Sequence, residues 1–399
     1  MVIIGAGQAG LQVAEALRSD GYDGAITMIG DEPRPPYQRP PLSKAYLLGE
    51  FTEAQLTLRA PEVLARKNIT LLSGVSVTAV DRAAKQVRLS DGRAIDYAGL
   101  CLATGSRPRP LPVPGADLAN VLPLRTLADT RAIAAILPKT ERVLVIGGGF
   151  IGLEFAAVAR KLGKEVVVLE GAERLMPRAV TPMMSEFFRK LHVDHGVAVE
   201  LNAAVSRLTG AEGKVAAVCT ADGREFPADL VLVGIGILPN VELAQATGLE
   251  CERGIVVDAC SRTADAAIVA AGDCTARRLP DGSLLRLESV QNAIEQGKSA
   301  AAALLGKERP FVASPWFWSD QYDVKLQMVG LANGHDRTVM RGAPASHKFS
   351  AFHYRGDVLL AVDSVNRPED HMPARKLLDQ GLSPSFAQVA DLGIPLIAR

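Results

Sequence analysis

Apolar positions in this chain follow two patterns. Short unbroken runs (Val2-Ile3-Ile4, Ala25 to Ile29, Leu100 to Ala103, Val143 to Ile146, Val166 to Leu169, Leu230 to Val233 and Ala266 to Ala271) read as strands buried on both faces. Other stretches carry apolar residues at helical spacing, first at Leu11, Ala14 and Leu17, later at Leu153, Ala156, Ala157 and Leu162. Strand, helix and strand in that order predict βαβ units and a parallel sheet. Period-two segments are interleaved with them. Ile69 to Leu72 and Val75 to Val80 read as short strands with turns, Gln86 to Ser90 runs into an Asp91-Gly92 turn that signals a hairpin, and residues 197–233 return to a β-pattern with an Asp222-Gly223 turn. A helical pattern runs from Val290 to Leu305 and stops at Gly306. The tail changes character. Pro315 to Gln321 holds both tryptophans, alternating strands follow at Lys325–Val329, Lys348–Tyr354 and Val358–Val362, and a short helix is expected around Ala374–Gly381. That is a small α+β domain.

Two of the apolar runs lead straight into the same loop. Val2-Ile3-Ile4 is followed by Gly5-Ala6-Gly7-Gln8-Ala9-Gly10, and Val143 to Ile146 by Gly147-Gly148-Gly149-Phe150-Ile151-Gly152. Each G-x-G-x-x-G opens a helix, and the next strand ends in acid, Asp31-Glu32 in the first copy and Glu170 in the second. The first glycine allows a tight turn, the second lets backbone approach a pyrophosphate, and the third lets helix and strand pack closely. Unpaired N–H groups and the helix dipole favour the phosphate charge. The acid accepts a hydrogen bond from a ribose hydroxyl. Two copies in one chain predict two dinucleotide sites. Glu170 favours NADH, because a carboxylate repels a 2′-phosphate. Arg174, four residues on, is a cation that leaves NADPH open.

Composition narrows the class. With 399 residues, 48% hydrophobic and 22% charged, the chain is a globular protein of two or three domains. Its net charge of zero gives no global field for nucleic acid, and no apolar run is long enough to span a membrane. The first ten residues read as strand and loop, not as a targeting leader, and a few native residues before them are possible. Five scattered cysteines, none in C-x-x-C, indicate neither a zinc site nor an iron–sulfur cluster and fit a reducing cytoplasm.

Three further stretches carry candidate chemistry. Pro33 to Lys44 is so rich in proline that it is expected to cross the surface as extended chain. It either delivers Arg39 and Lys44 to a site or serves as a solvated linker. Arg107 to Gly115 breaks regular structure and reads as a domain crossing. The buried run Ala266 to Ala271 ends in Gly272-Asp273, which presents a carboxylate at a sheet edge or caps a following helix. His192 and His195 read as surface residues of a helix over Ser185–His195.

Taken together, these motifs resemble the two-dinucleotide-domain flavoprotein reductases, specifically the oxygenase-coupled NADH:ferredoxin reductases of the putidaredoxin reductase type. The likeness rests on Arg39 to Lys44, Ala103-Thr104-Gly105, Leu124 to Leu127, Gly147 to Glu154, Gly234-Ile235-Gly236, Gly272-Asp273 and Trp316 to Gln321. It implies an α/β fold with two Rossmann-like domains of the glutathione-reductase-like flavoprotein kind and a small α+β C-terminal domain. The expected boundaries are residues 1–107 and 240–312 for FAD, 108–239 for NAD and 313–399 for the C-terminal domain. By this resemblance Gly5, Gly7, Ala9 and Gly10 hold the FAD pyrophosphate and Asp31 its adenosine ribose. Val77 lies near the adenine, Arg39 and Lys44 on the flavin side, and Arg125 contacts the cofactor. Asp273 bonds the ribityl chain, and Val290 sits against the isoalloxazine. Gly147, Gly149, Ile151 and Gly152 serve NADH, Glu170 its ribose, with Gly236 in the same set and Glu154 by the nicotinamide. Trp318 lies near the exit for electrons.

The implied reaction is reduction of FAD by NADH, then single-electron delivery to a [2Fe–2S] ferredoxin that feeds a cytochrome P450 or another oxygenase. The expected catalytic residues are Lys44, Glu154 and Trp318, with Lys44 and Glu154 paired beside the flavin ring. Disulfide reductases of this plan need a cysteine pair by the flavin, whereas residues 1–107 hold only Cys101, and related peroxidases use a cysteine near the position of Ser43. Two alternatives stand beside the reductase: an NADH oxidase or diaphorase without a dedicated ferredoxin, and a redox-controlled binding flavoprotein resembling apoptosis-inducing factor. The expected ferredoxin is acidic. Residues 34–67 offer six basic side chains against three acidic ones for docking it, with Arg277-Arg278 adding to them.

Overall fold

In a computed structural model of the chain, described over residues 1–396, the doubly buried runs pair with one another in two parallel sheets. The chain divides into two compact units. The first comprises Met1–Gln38, Glu53–Arg107 and Leu238–Pro315. The second comprises Arg39–Thr52, Pro108–Ile237 and the residues from Trp316 on. This division differs from the three-domain expectation in two respects. Residues 39–52 leave the first unit, and the C-terminal residues share a unit with residues 108–237.

The first unit is built on five parallel strands in the order Ile268–Ala270, Leu100–Leu102, Val2–Ile4, Ile26–Gly30, Ile69–Ser73. Register sorts their side chains. Ile3 lies opposite Met28 and Cys101, Cys101 opposite Val269, and all four share one buried cluster. Val2, Ile4, Leu100, Leu102, Ile268 and Ala270 face the other way, into a second cluster with Leu89 and Ile255. With both faces covered, these strands can be apolar throughout. Two helices cover the first face, Gln8–Ser19 and Val290–Leu304. They lie so close that a Cβ on Gly297 would sit 2.8 Å from Gln12 Cβ.

The second unit repeats the scheme with strands Ala198–Glu200, Glu165–Leu169, Arg142–Ile146, Leu230–Val233 and Val121–Pro123. Val143, Val145, Val166, Val168, Leu230 and Leu232 face one cluster, while Leu144, Ile146 and Val231 face another. From Trp316 on the chain forms a five-stranded antiparallel sheet, ordered Trp316–Gln321, Val324–Gly330, Val358–Val365, Lys348–Arg355, Arg337–Ala343. Val324, Leu326, Phe349 and Val365 enter the same core as Phe155 and Phe188 of the parallel-sheet part.

Three expectations change. The proline segment is not wholly extended, because Pro40–Ser43 forms a single 3₁₀ turn. Prolines at its first positions supply the helical φ and lack only N–H groups that a first turn leaves unpaired. The last long helix, Pro368–Asp379, begins earlier than expected. Its first turn has proline and the acids Glu369 and Asp370, all favourable there. No helix follows Asp273. The next element is the strand Thr275–Arg278, so the capping role falls away.

Candidate functional site

In the first unit the loop after Val2–Ile4 has the conformation its glycines were expected to allow. Gly5 has φ +113°, and a Cβ there would lie 2.0 Å from the carbonyl oxygen of Ala103. A Cβ on Gly10 would lie 1.9 Å from Gly5 O. These two glycines are required by the chain's own packing. Gly7 is different. Its backbone (φ −90°, ψ −163°) suits any residue, and a Cβ there meets nothing within 4 Å. The protein does not need a glycine at Gly7, but a pyrophosphate lying against the backbone does. Gly7 caps a 12-residue helix with no side-chain cap and no acid in its first turn, so the N–H groups there are not spent on a side chain.

Two other first-unit candidates come close to this loop. A Cβ on Gly30, at the end of the second strand, would lie 2.6 Å from Ala6 Cβ, which brings the neighbouring exposed Asp31 to the loop. A Cβ on Gly272 would be 3.0 Å from Ala9 Cβ, which brings Asp273 there as well. Asp273 Oδ2 accepts from Ser106 Oγ at 3.1 Å. Val290 is the first residue of its helix, behind the Ser289 cap, and Val77 lies in the hairpin Val77–Asp81/Gln86–Leu89. Cys101 is fully buried in its strand, and burial pushes its thiol up, away from the reactive thiolate.

The second unit repeats this geometry. Gly147 has φ +105°, with its Cβ position 2.4 Å from Gly234 O, and a Cβ on Gly152 would lie 2.3 Å from Gly147 O. The middle glycine, Gly149, again has an ordinary backbone (φ −82°, ψ 176°) and open space where a Cβ would be. Ile151 is 44% exposed on the first turn of the helix. Glu170 reaches back to the loop, accepting from Gly148 N at 2.7 Å and from Ala172 N at 2.8 Å. Arg174 has three of its five N–H donors engaged within its own unit. Its guanidinium donates to Val180 O, Pro177 O and Ser185 Oγ at 2.6–2.8 Å. Gly236 O accepts from Arg109 N at 2.9 Å.

A second cluster forms one turn further along that helix. Glu154 is 2% exposed. Its Oε2 takes the Lys44 ammonium at 2.8 Å and the Ser43 hydroxyl at 2.6 Å, while Oε1 takes the Ser319 hydroxyl at 2.7 Å. The 3₁₀ turn Pro40–Ser43 therefore places Ser43 and Lys44 together on one carboxylate. Arg39, at the head of the turn, donates Nη1 to Arg125 O at 2.9 Å. The strand Trp316–Gln321 alternates, with Phe317, Ser319 and Gln321 toward the helix Phe150–Lys161. Phe317 packs on Phe150, one turn before Glu154, with ring centroids 4.7 Å apart. Trp318 points the other way, beside Trp316 at 5.5 Å.

A family model for pyridine nucleotide-disulphide oxidoreductases matches residues 1–297, and one for a reductase C-terminal domain matches residues 316–398. The chain belongs to the pyridine nucleotide-disulphide oxidoreductase family. It is 48% identical to rhodocoxin reductase of Rhodococcus erythropolis, over 100% of this chain and 94% of that protein. It superposes with a TM-score of 0.96 on the ferredoxin reductase for the CYP199A2 system from Rhodopseudomonas palustris, at 44% identity over 99% of this chain and 98% of the other. The reductase in a covalent putidaredoxin reductase–putidaredoxin complex gives 0.95 at 45% identity, over 99% and 96%. The expected fold class holds, with a reductase C-terminal domain added to the pyridine nucleotide-disulphide oxidoreductase plan.

In this member of the family one surface expectation fails. His192 is wholly buried and hydrogen-bonds Gln321 Oε1 at 2.8 Å, whereas His195 is exposed as expected. A signal for His192 was present. Met184, Phe188 and His192 recur every four residues on the buried side of the helix Pro182–Asp194. Ser43, Ser319 and Gln321 stood inside quoted motifs, but nothing in their spacing showed that two of them meet at Glu154. The expected basic excess is also offset. Arg34 pairs with Glu53, Arg59 and Lys67 with Glu15, Lys44 with Glu154, and Arg278 with Glu250.

Proposed function

We propose that this protein is an FAD-containing NADH:ferredoxin reductase that supplies electrons to a cytochrome P450 or another oxygenase. The observation that carries this reading is the pair of middle glycines, Gly7 and Gly149. Neither is required by backbone conformation or packing, and each opens a capless helix start. Two cradles of one design suit two dinucleotides, and the relatives named above are ferredoxin reductases. Bound FAD supplies hydride acceptance from NADH and electron release in single steps, which a [2Fe–2S] acceptor requires.

The chain's own residues bind, orient and neutralise. Gly5, Gly7, Ala9 and Gly10 hold the FAD diphosphate, Asp31 the ribose, and Asp273 the ribityl hydroxyls. Val77, Arg39, Arg125 and Val290 complete that set. Gly147, Gly149, Ile151, Gly152 and Gly236 form the NADH cradle. Lys44, held by the buried Glu154, places a positive charge that favours the negative charge of reduced flavin. Trp318 lies on the electron exit to ferredoxin. Glu170 selects NADH, and Arg174, held by three acceptors of its own unit, is a weak compensation for a 2′-phosphate. The expected NADH preference is at least about tenfold in kcat/KM. All five cysteines are free thiols, the usage of a reducing cytoplasm, where we place the protein.

The test is direct. Purified protein should be yellow, release FAD on denaturation, and lose its absorbance near 450 nm within seconds of anaerobic mixing with NADH. Colourless protein that does not take up FAD, or yellow protein inert to NADH, would overturn the reading.

A further inference from the structure

Glu154 is the end of a longer construction in the second unit. Tyr322 OH lies 3.3 Å from His192 Nδ1, His192 Nε2 2.8 Å from Gln321 Oε1, Gln321 Nε2 3.2 Å from Ser319 Oγ, and Ser319 Oγ 2.7 Å from Glu154 Oε1. His192, Gln321, Ser319 and Glu154 are each at most 2% exposed, so they are shielded from bulk solvent. We propose that Tyr322, His192, Gln321 and Ser319 form a one-way hydrogen-bond chain that fixes the Glu154 carboxylate, and through it Lys44, for reduction by NADH. The proposal rests on the reading of Lys44 and Glu154 given above.

The direction of the chain follows from its end. A carboxylate only accepts, so Ser319 must donate to it. Ser319 Oγ then accepts, which turns the Gln321 amide N–H toward it and the amide carbonyl toward His192. The imidazole must therefore carry its proton on Nε2 and keep a lone pair on Nδ1, and the Tyr322 hydroxyl donates to that lone pair. One charge thus fixes an amide orientation, a tautomer and two hydroxyl rotors. Burial pushes the His192 imidazole down to about 4, so the neutral tautomer persists at physiological pH. The far end is anchored by the stack of Tyr322 on His195, 3.7 Å between centroids. Such a chain polarises each link and makes the final bond stronger than an isolated one. His192 and Gln321 are positioning residues. They act through Ser319 and touch neither nucleotide.

The first test is the tautomer. In the holoenzyme labelled with nitrogen-15 histidine, His192 is expected as the Nε2–H form, and a neutral Nδ1–H form would overturn the proposal. The second test is kinetic. Gln321→Leu and His192→Leu should lower the limiting rate of flavin reduction by about tenfold while leaving the Kd for NADH within about threefold. They should also move the flavin midpoint potential in the negative direction. His192→Gln, whose amide N–H stands where Nε2–H stood, should restore the rate to within about threefold. Unchanged rate and potential in Gln321→Leu, alongside slow reduction in Glu154→Gln, would overturn the chain and leave the Lys44–Glu154 reading intact. Unchanged reduction in Glu154→Gln itself would overturn that reading, and the chain with it. If the leucine variants do not fold, Tyr322→Phe removes only the outermost hydroxyl. Because the tautomer is set from the Glu154 end, His192 is expected to keep its Nε2–H form in that variant, and an inverted tautomer would overturn the proposal.

Discussion

Single residues divide sharply between those that the fold requires and those that only a ligand explains. Gly10 and Gly7 stand three positions apart, yet a side chain on Gly10 collides with Gly5 O while one on Gly7 meets nothing. Gly10→Val is therefore expected to prevent folding, whereas Gly7→Val should fold with native circular dichroism and bind FAD about ten- to a hundredfold more weakly, a cost of about 1–3 kcal/mol. Full FAD occupancy of Gly7→Val at low micromolar concentration would contradict the cradle. Lys44→Met should slow flavin reduction by about ten- to a hundredfold, read by stopped-flow at 450 nm, and should also lower stability, because the buried Glu154 carboxylate loses its counter-charge. His192 gives a pH prediction whose sign is fixed. Its folded pKa, about 4, lies below the usual value of 6.5, so its stabilising contribution is complete above about 6.5. As pH falls from there toward 4 the unfolded state binds the proton first, and stability drops by about 1.4 kcal/mol per pH unit. The urea midpoint of wild type should thus fall more steeply between pH 7 and 4.5 than that of His192→Gln. Equal slopes would show that His192 is not held neutral.

Among the elements, those with a strong period were legible and those fixed by tertiary partners were not. The parallel strands were plain, because runs such as Val143 to Ile146 are apolar at every position and sheets with both faces covered have no polar side. Both fingerprint helices were plain for the same reason. The 3₁₀ turn Pro40–Ser43 was not, since proline is compatible with extended chain and with a first helical turn. What selects the turn here is the delivery of Ser43 and Lys44 to one carboxylate. His192 was misread because a histidine among Arg189, Lys190 and Asp194 looks solvated, and only the row through Met184 and Phe188 shows the buried face. The C-terminal sheet depends on a similar buried partner. Arg341, 3% exposed, pairs with Asp370 at 3.0 Å and donates to the carbonyls of Val389 and Ile394, tying the last turns of chain to the strand Arg337–Ala343. Arg341→Met leaves Asp370 with Arg367 and the Ser350 hydroxyl alone and those carbonyls without their guanidinium donor. It should cost about 3–5 kcal/mol by chemical denaturation, and a loss below about 1 kcal/mol would refute this tie.

The whole chain is nearly neutral, and most cations once counted toward a docking patch are spent on carboxylates of their own unit. Recognition of an acidic ferredoxin must then rely less on long-range steering than the bare count suggested. Its kcat/KM should fall by less than about tenfold between 20 and 200 mM salt. The resemblance to ferredoxin reductases reaches across the full length, and the two cradles account for two nucleotides. The electron acceptor is the participant that the two cradles do not account for. Mixing the NADH-reduced protein anaerobically with individual [2Fe–2S] ferredoxins in a stopped-flow instrument addresses it directly. Fast return of the 450 nm absorbance with one ferredoxin, at a stoichiometry of two ferredoxins per flavin, is the expected result. Rapid bleaching by NADH followed by re-oxidation with oxygen alone, and with no ferredoxin tested, would contradict the assignment as a ferredoxin reductase.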